Sequence, residues 1–318
     1  MPRSSSLLVD RRSVTLGALA IGGAALSGQA LADGRKRRGR ERFEGIGRFE
    51  FSDWEGAPIR VWYSGPRDVD SSTPVLISLH GLGRDARDNR DDWRKVRGAR
   101  DWIVLAPEFS ERRWPGDDYI TAGLIRSGRR PVPAGRTAFD AVERLFDWVR
   151  DRADLSARTY GLYGHSAGAQ FAHRMVLASP ALRADRVVAA NAGWYTLPDI
   201  DTPWPLGLAD LGLADDALRK AFARPLDVLL GSEDTDPRHR NLNRSPEVSP
   251  QGPHRYARGV NFFTRARAAA RRLETPFAWR LARVEGVGHD SARMAPEALR
   301  LMSGQAPREP LMFEERLR

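Results

Sequence analysis

Tyr163-Gly164-His165-Ser166-Ala167-Gly168 sets a serine between two glycines, each two residues away, at the junction of an apolar run and an amphipathic one. That spacing suits a nucleophile. A serine on a sharp strand-to-helix turn projects its hydroxyl above a sheet, and side chains two positions to either side would clash. A serine at neutral pH needs a base, and imidazole is the side chain that titrates in the right range. There are six histidines. His80 and His165 sit inside other motifs, His173 lies two helical turns beyond the serine, and His239 and His254 fall in an irregular segment. His289, in Gly286-Val287-Gly288-His289-Asp290, follows the last strand-like run and is the candidate base. The group that orients it should end a strand between serine and histidine, where Asp227–Asp234 closes on Gly231-Ser232-Glu233-Asp234. Asp234 and Asp236 are candidates there, and Asp199 or Asp201 would serve from the preceding strand.

These groups must be carried by rigid elements. Arg48–Phe51 and Ile59–Ser64 flank Asp53-Trp54-Glu55-Gly56 and predict an antiparallel hairpin at the sheet's leading edge. Six short apolar runs follow: Pro74–His80, Trp102–Phe109, Thr159–Gly164, Arg186–Gly193, Leu226–Ser232 and Phe277–Val284. Each has the length of a buried strand, and amphipathic stretches separate several of them. In Arg136–Arg152, for example, Phe139, Val142, Leu145, Phe146 and Val149 recur at helical spacing. The alternation predicts an α/β fold, a mostly parallel, doubly wound sheet covered on both faces by helices. Residues 194–225 and 233–256 break the rhythm with Trp, Pro, Gly, Arg and Asn. Both follow strands, and we expect them to insert over the site and shape its mouth.

The N-terminus calls for a different reading. Arg11-Arg12, the small apolar stretch Val14–Leu26 and Ala30-Leu31-Ala32 read as an export signal over residues 1–32, with paired arginines of the twin-arginine kind; a general secretory signal is the alternative. The stretch is too short to span a bilayer, so no stable membrane insertion is expected after its removal. Residues 33–42 read as a basic linker and 43–318 as one domain, in a periplasmic or secreted protein. Without cysteine no disulfide or thiol-linked lipid is possible. The net charge of +10 does not predict nucleic-acid binding: of 51 basic side chains only Lys36, Lys95 and Lys220 are lysines, and the arginines are dispersed. The dense run Arg35–Arg40 has no interleaved aromatics to stack on bases.

Taken together, the serine turn, His80-Gly81-Leu82-Gly83 directly after a strand, and the order Ser166…Asp234…His289 resemble the α/β-hydrolase superfamily over residues 43–305. The texture of Leu230–Pro237 and Gly286–Asp290 is similar to bacterial secreted esterases related to polyhydroxyalkanoate depolymerases and feruloyl-esterase-like proteins. The resemblance implies a Ser166–His289–Asp234 triad, since a G-x-x-D after this strand usually supplies the acid in that family. It also implies an oxyanion hole from the N–H groups of Leu82 and Ala167, with His80 bracing the loop. Ester hydrolysis through an acyl-enzyme, on a small or polymeric ester and with no metal or organic cofactor, is the expected activity. Trp194, Tyr195 and Trp204 are candidates for the acyl pocket. The same triad also serves thioester and peptide cleavage, perhydrolysis and transacylation, and a non-catalytic binding module on a hydrolase fold is the alternative of another class.

Overall fold

The computed structural model describes residues 42–126 and 130–311. The expected signal at 1–32 and nearly all of the 33–42 linker lie outside the described residues.

β1 (Gly45–Phe51) and β2 (Ile59–Gly65) form the hairpin, followed by β3 (Val75–Leu79), α1 (Ala86–Lys95) and β4 (Ile103–Glu108). A short antiparallel pair, β5 (Ile125–Arg126) and β6 (Arg130–Pro131), precedes α2 (Ala138–Ala153), β7 (Tyr160–His165), α3 (Ala167–Ala178) and β8 (Ala184–Ala190). The chain continues through α4 (Asp215–Ala223), β9 (Leu226–Gly231), α5 (Arg255–Arg272), β10 (Arg280–Val284), α6 (Ser291–Met302) and β11 (Glu309–Pro310). The nine-stranded sheet runs β1-β2-β4-β3-β7-β8-β9-β10-β11. Its central strands, β4 through β10, pair in parallel, and antiparallel neighbours close both edges.

Period-two alternation explains why the sheet carries helices on both sides. Val75, Ile77 and Leu79 of β3 enter one apolar cluster with the inner faces of α2, α3, α4 and α5, whereas Leu76 enters a second with Trp93 of α1 and Met294 and Ala298 of α6. Local signals set the helix ends. Thr137 and Asp140 form a reciprocal capping box at the start of α2, and Asp154 stops that helix in the left-handed conformation. Parallel strands all end on the same edge, so the loops after β3, β7, β8, β9 and β10 converge there. Among the described residues no helix is long and apolar enough to cross a membrane.

Candidate active site

Ser166 sits between β7 and α3 with φ 57° and ψ −113°, a conformation that costs a non-glycine residue of order 1–3 kcal/mol and is held by its surroundings. Its N–H donates to the Ala190 carbonyl at 2.9 Å. The flanking glycines are sterically required. A Cβ on Gly164 would strike the Gly168 carbonyl, and one on Gly168 would strike the carbonyl of Leu79 at the end of β3. The tight turn therefore brings three chain segments together within backbone contact of one another.

The expected acid and base meet the serine. His289, on the loop between β10 and α6, places Nε2 3.0 Å from Ser166 Oγ and Nδ1 2.7 Å from Asp234 Oδ2. An ionised carboxylate only accepts, so Nδ1 carries the proton, and Nε2 is left to accept from the serine hydroxyl. The alternative acids are elsewhere. Asp236 accepts the Arg238 N–H, and Asp199 accepts from Thr202 Oγ1 and the Asp201 N–H; both shape turns. Asp201 is exposed.

Leu82 and Ala167, the two expected backbone donors, both line the space beside Ser166. Ala167 opens α3, where the first N–H groups have no partner within the helix and the helix dipole favours negative charge. Leu82 lies on the loop after β3, and its neighbour Gly81 faces Ser166, since a Cβ added there would lie 3.8 Å from the serine Cβ. His80 braces this loop. Its Nδ1–H donates to the Gly81 carbonyl, and its Nε2 accepts the Phe109 N–H at 3.0 Å. Burial lowers the His80 pKa to about 4, so the ring stays neutral and keeps both bonds.

The space around Ser166 has two lobes. A narrow one, about 100 Å³, is lined by Leu82, Gln170 and Trp194 together with Asn241 and Asn243. A wider one, about 280 Å³, contains His289 and is lined by Asp85, at the N-cap position of α1, and by Asp88 and Asp92 within it. The expectation for the segment 233–256 holds at Asn241 and Asn243, which wall the narrow lobe. Residues 194–225 contribute Trp194 and then pack over the core. The other two aromatic candidates are not in the site. Tyr195 is buried against His173 and Phe262, and Trp204 packs half-buried on the core. Large apolar rings close to a sheet surface are drawn into packing before they can line a polar cleft.

Several supporting residues were missed by the sequence reading. Asn191, at the end of β8 with φ 52°, accepts the Gly231 N–H at 2.8 Å and donates to the Gly288 carbonyl at 3.2 Å. It thereby joins the turn leading to Asp234 with the one leading to His289. The Glu233 N–H adds a bond to the Val287 carbonyl between the same two loops. Arg258 of α5 donates to the carbonyls of Gly193, Asn243 and Gly252 and holds the narrow lobe's walls. The one available signal was Asn191-Ala192-Gly193 ending a strand, since asparagine tolerates the left-handed region. The arginines of α5 gave none.

Solved structures with this architecture carry known activities. Poly(aspartic acid) hydrolase-1 from Sphingomonas sp. KT-1 is 38% identical, with a TM-score of 0.80, over 82% of this chain and 99% of its own. A poly(3-hydroxybutyrate) depolymerase from Bordetella parapertussis is 31% identical, with a TM-score of 0.76, over 83% and 92%. The chain belongs to the α/β-hydrolase family. More distant α/β-hydrolases share the fold alone, among them an S-formylglutathione hydrolase from Agrobacterium tumefaciens at 14% identity and a TM-score of 0.51, covering 82% of this chain and 94% of its own. No family model matches the sequence, and no curated protein does. As an α/β-hydrolase the protein is a hydrolytic enzyme, and the edge where its strand ends converge is where the fold places its chemistry.

Proposed function

We propose that this α/β-hydrolase is an exported serine esterase that cleaves carboxylic esters through an acyl-enzyme. The observation that supports it most is the unbroken chain from Asp234 through His289 to Ser166, at 2.7 and 3.0 Å, beside the N-terminus of α3. In this reading Ser166 Oγ attacks the ester carbonyl as His289 Nε2 takes its proton. Asp234 keeps the imidazole in the required tautomer and supports its cationic form. The N–H groups of Leu82 and Ala167 hold the oxyanion, each worth about 3 kcal/mol in the transition state. His289 then protonates the departing alcohol, which assigns the wide lobe to the leaving group and the narrow lobe to the acyl group. Water, activated by the same imidazole, releases the acid. No metal or organic cofactor takes part.

A second reading has one support: the 38% identical relative is named for hydrolysis of poly(aspartic acid), a polymer of amide bonds, and the same triad cleaves amides. The carboxylates of Asp85, Asp88 and Asp92 beside His289 repel an anionic leaving chain, which favours the ester reading. Export through the 1–32 signal rests on Arg11-Arg12 and the cleavage pattern at Ala30–Ala32.

Fluorophosphonate labelling tests the nucleophile. Wild-type protein should be labelled at Ser166, and Ser166→Ala should be unlabelled and inactive with an unchanged melting temperature. Hydrolysis of p-nitrophenyl esters of graded chain length, set against poly(aspartic acid) and a polyester film, separates the substrate readings. Wild-type turnover by Ser166→Ala would sink both.

A further inference from the structure

His289 has more neighbours than a triad requires, and they form a connected set. His165, the residue before Ser166, packs on its ring with centroids 4.6 Å apart, and His239, from the segment between β9 and α5, packs edge-on at 5.3 Å. Arg255, the first residue of α5 and almost wholly buried, reaches two of these groups. Its Nη1 lies 3.4 Å from Asp234 Oδ1, the oxygen that His289 does not use, and its Nη2 donates to His239 Nδ1 at 3.2 Å. The Asn241 N–H donates to the same nitrogen. Since guanidinium and amide N–H groups only donate, His239 Nδ1 bears no proton, and the bridge requires a neutral ring.

We propose that Arg255 and His239 are positioning residues of the triad: Arg255 ties Asp234 to His239, and His239 seats the edge of the His289 ring, making the mouth segment and the triad one unit. The inference rests on the triad reading above. It explains why a guanidinium is buried where its desolvation is costly. It also couples substrate binding to the base, because Asn241, two residues from His239, lines both lobes.

Two consequences are measurable. Without His239 the imidazole has lost a wall, so its alignment loosens and the chemical step slows while substrate affinity stays. Without Arg255 a positive charge beside Asp234 is lost, and protonation of His289 becomes easier. The remaining charged or titratable groups around His289 are Asp234, His165, His239, the neighbouring Asp290, and Asp85, Asp88 and Asp92 across the wide lobe. Replacing Arg255 by Met frees Asp234 Oδ1 and His239 Nδ1 from its guanidinium and leaves the nearby Asp236 in place, so the surroundings of His289 become more negative.

The experiment compares wild type with His239→Ala, Arg255→Met and Arg255→Lys. It reads the rate of Ser166 labelling by fluorophosphonate, kcat and KM on a soluble ester, and the acid limb of the kcat/KM profile. For His239→Ala we expect labelling and kcat to fall together by roughly tenfold with KM within about twofold. For Arg255→Met the acid limb should move to higher pH by about half a unit or more. Arg255→Lys should return it to the wild-type position, which a purely structural role would not do. Labelling of His239→Ala within twofold of wild type overturns the proposal, and decides alone if Arg255→Met does not fold; so does an unmoved acid limb in folded Arg255→Met. An unlabelled wild-type protein would instead overturn the triad reading, and this inference with it.

Discussion

At the residue scale, the acid is the group the sequence left open, and its neighbours now separate by what they touch. Asp234 is buried and bonded to His289, whereas Asp236 and Asp199 hold turns and Asp201 faces solvent. Replacing the acid by Asn preserves shape but offers the imidazole the wrong group, disfavouring the working tautomer. We expect Asp234→Asn to lose on the order of 10⁴ in kcat, with Asp236→Asn, Asp199→Asn and Asp201→Asn each within about threefold of wild type. Steady-state turnover on one soluble ester at saturation, with folding checked by circular dichroism, makes the comparison. A crippled Asp236→Asn beside a normal Asp234→Asn would move the acid by two residues and leave Ser166 and His289 in place.

At the element scale, five strand ends are held in register by a few bonds at one edge. Asn191 carries two of them, from its carboxamide to Gly231 and Gly288, and its own N–H donates to the Leu229 carbonyl. Asn191→Ala strands a buried N–H and a half-buried carbonyl and puts a β-carbon residue without local polar compensation at positive φ. A loss of roughly 2–4 kcal/mol of stability is expected. Asn191→Gly removes the backbone strain but not the lost bonds, so it should recover about 1 kcal/mol of that loss. Because the Asp234 and His289 turns loosen together, both variants should lose kcat more than KM. Urea denaturation and steady-state kinetics measure the two effects. If Asn191→Gly matches wild type in both, the carboxamide is not the tie between the loops.

For the whole molecule, pH acts through buried imidazoles. His80, His165 and His173 are all held neutral by burial, His80 down to about 4 and the other two well below their ordinary range. The folded state then binds fewer protons than the unfolded one below the ordinary histidine pKa near 6.5. Their contribution to stability is complete above that pH and is lost as pH falls toward the folded values. Each histidine contributes a slope of up to about 1.4 kcal/mol per pH unit in that window. Urea midpoints at pH 7.5 and 5.5 should show a clear loss at the lower pH, and His173→Asn should flatten the slope. A midpoint unchanged between the two would contradict neutral burial. The proposed export also belongs to the scale of the whole chain. Arg11→Lys with Arg12→Lys should leave precursor in the cytoplasm, while wild type yields a mature chain starting near Asp33. Fractionation and N-terminal sequencing check this, and unchanged export would favour the general secretory route.

Much of the architecture was legible in the sequence because its signals are local. Buried parallel strands are short apolar runs, so all six were foreseen near their observed limits, and the hairpin followed from alternation around a glycine turn. The serine turn was legible because its glycines recur at fixed spacing: Gly164 avoids a clash with the backbone of Gly168, while Gly168 makes room for the Leu79 carbonyl at the end of β3. What the chain order could not determine was any contact between distant loops. The choice of Asp234 over Asp236 depends on which side of a turn faces His289, 55 residues away. The candidate pocket aromatics depended on packing, which placed Trp194 at the lobe and buried Tyr195 behind it. Asn191 and the buried arginines of α5 carry no motif, since their roles exist only where separate strand ends and a helix start converge. Sequence alone determined the fold and the serine's turn, through steric and apolar rules acting over a few residues. Tertiary structure decided which polar groups meet, because hydrogen bonds across 40 or more residues depend on the fold being complete.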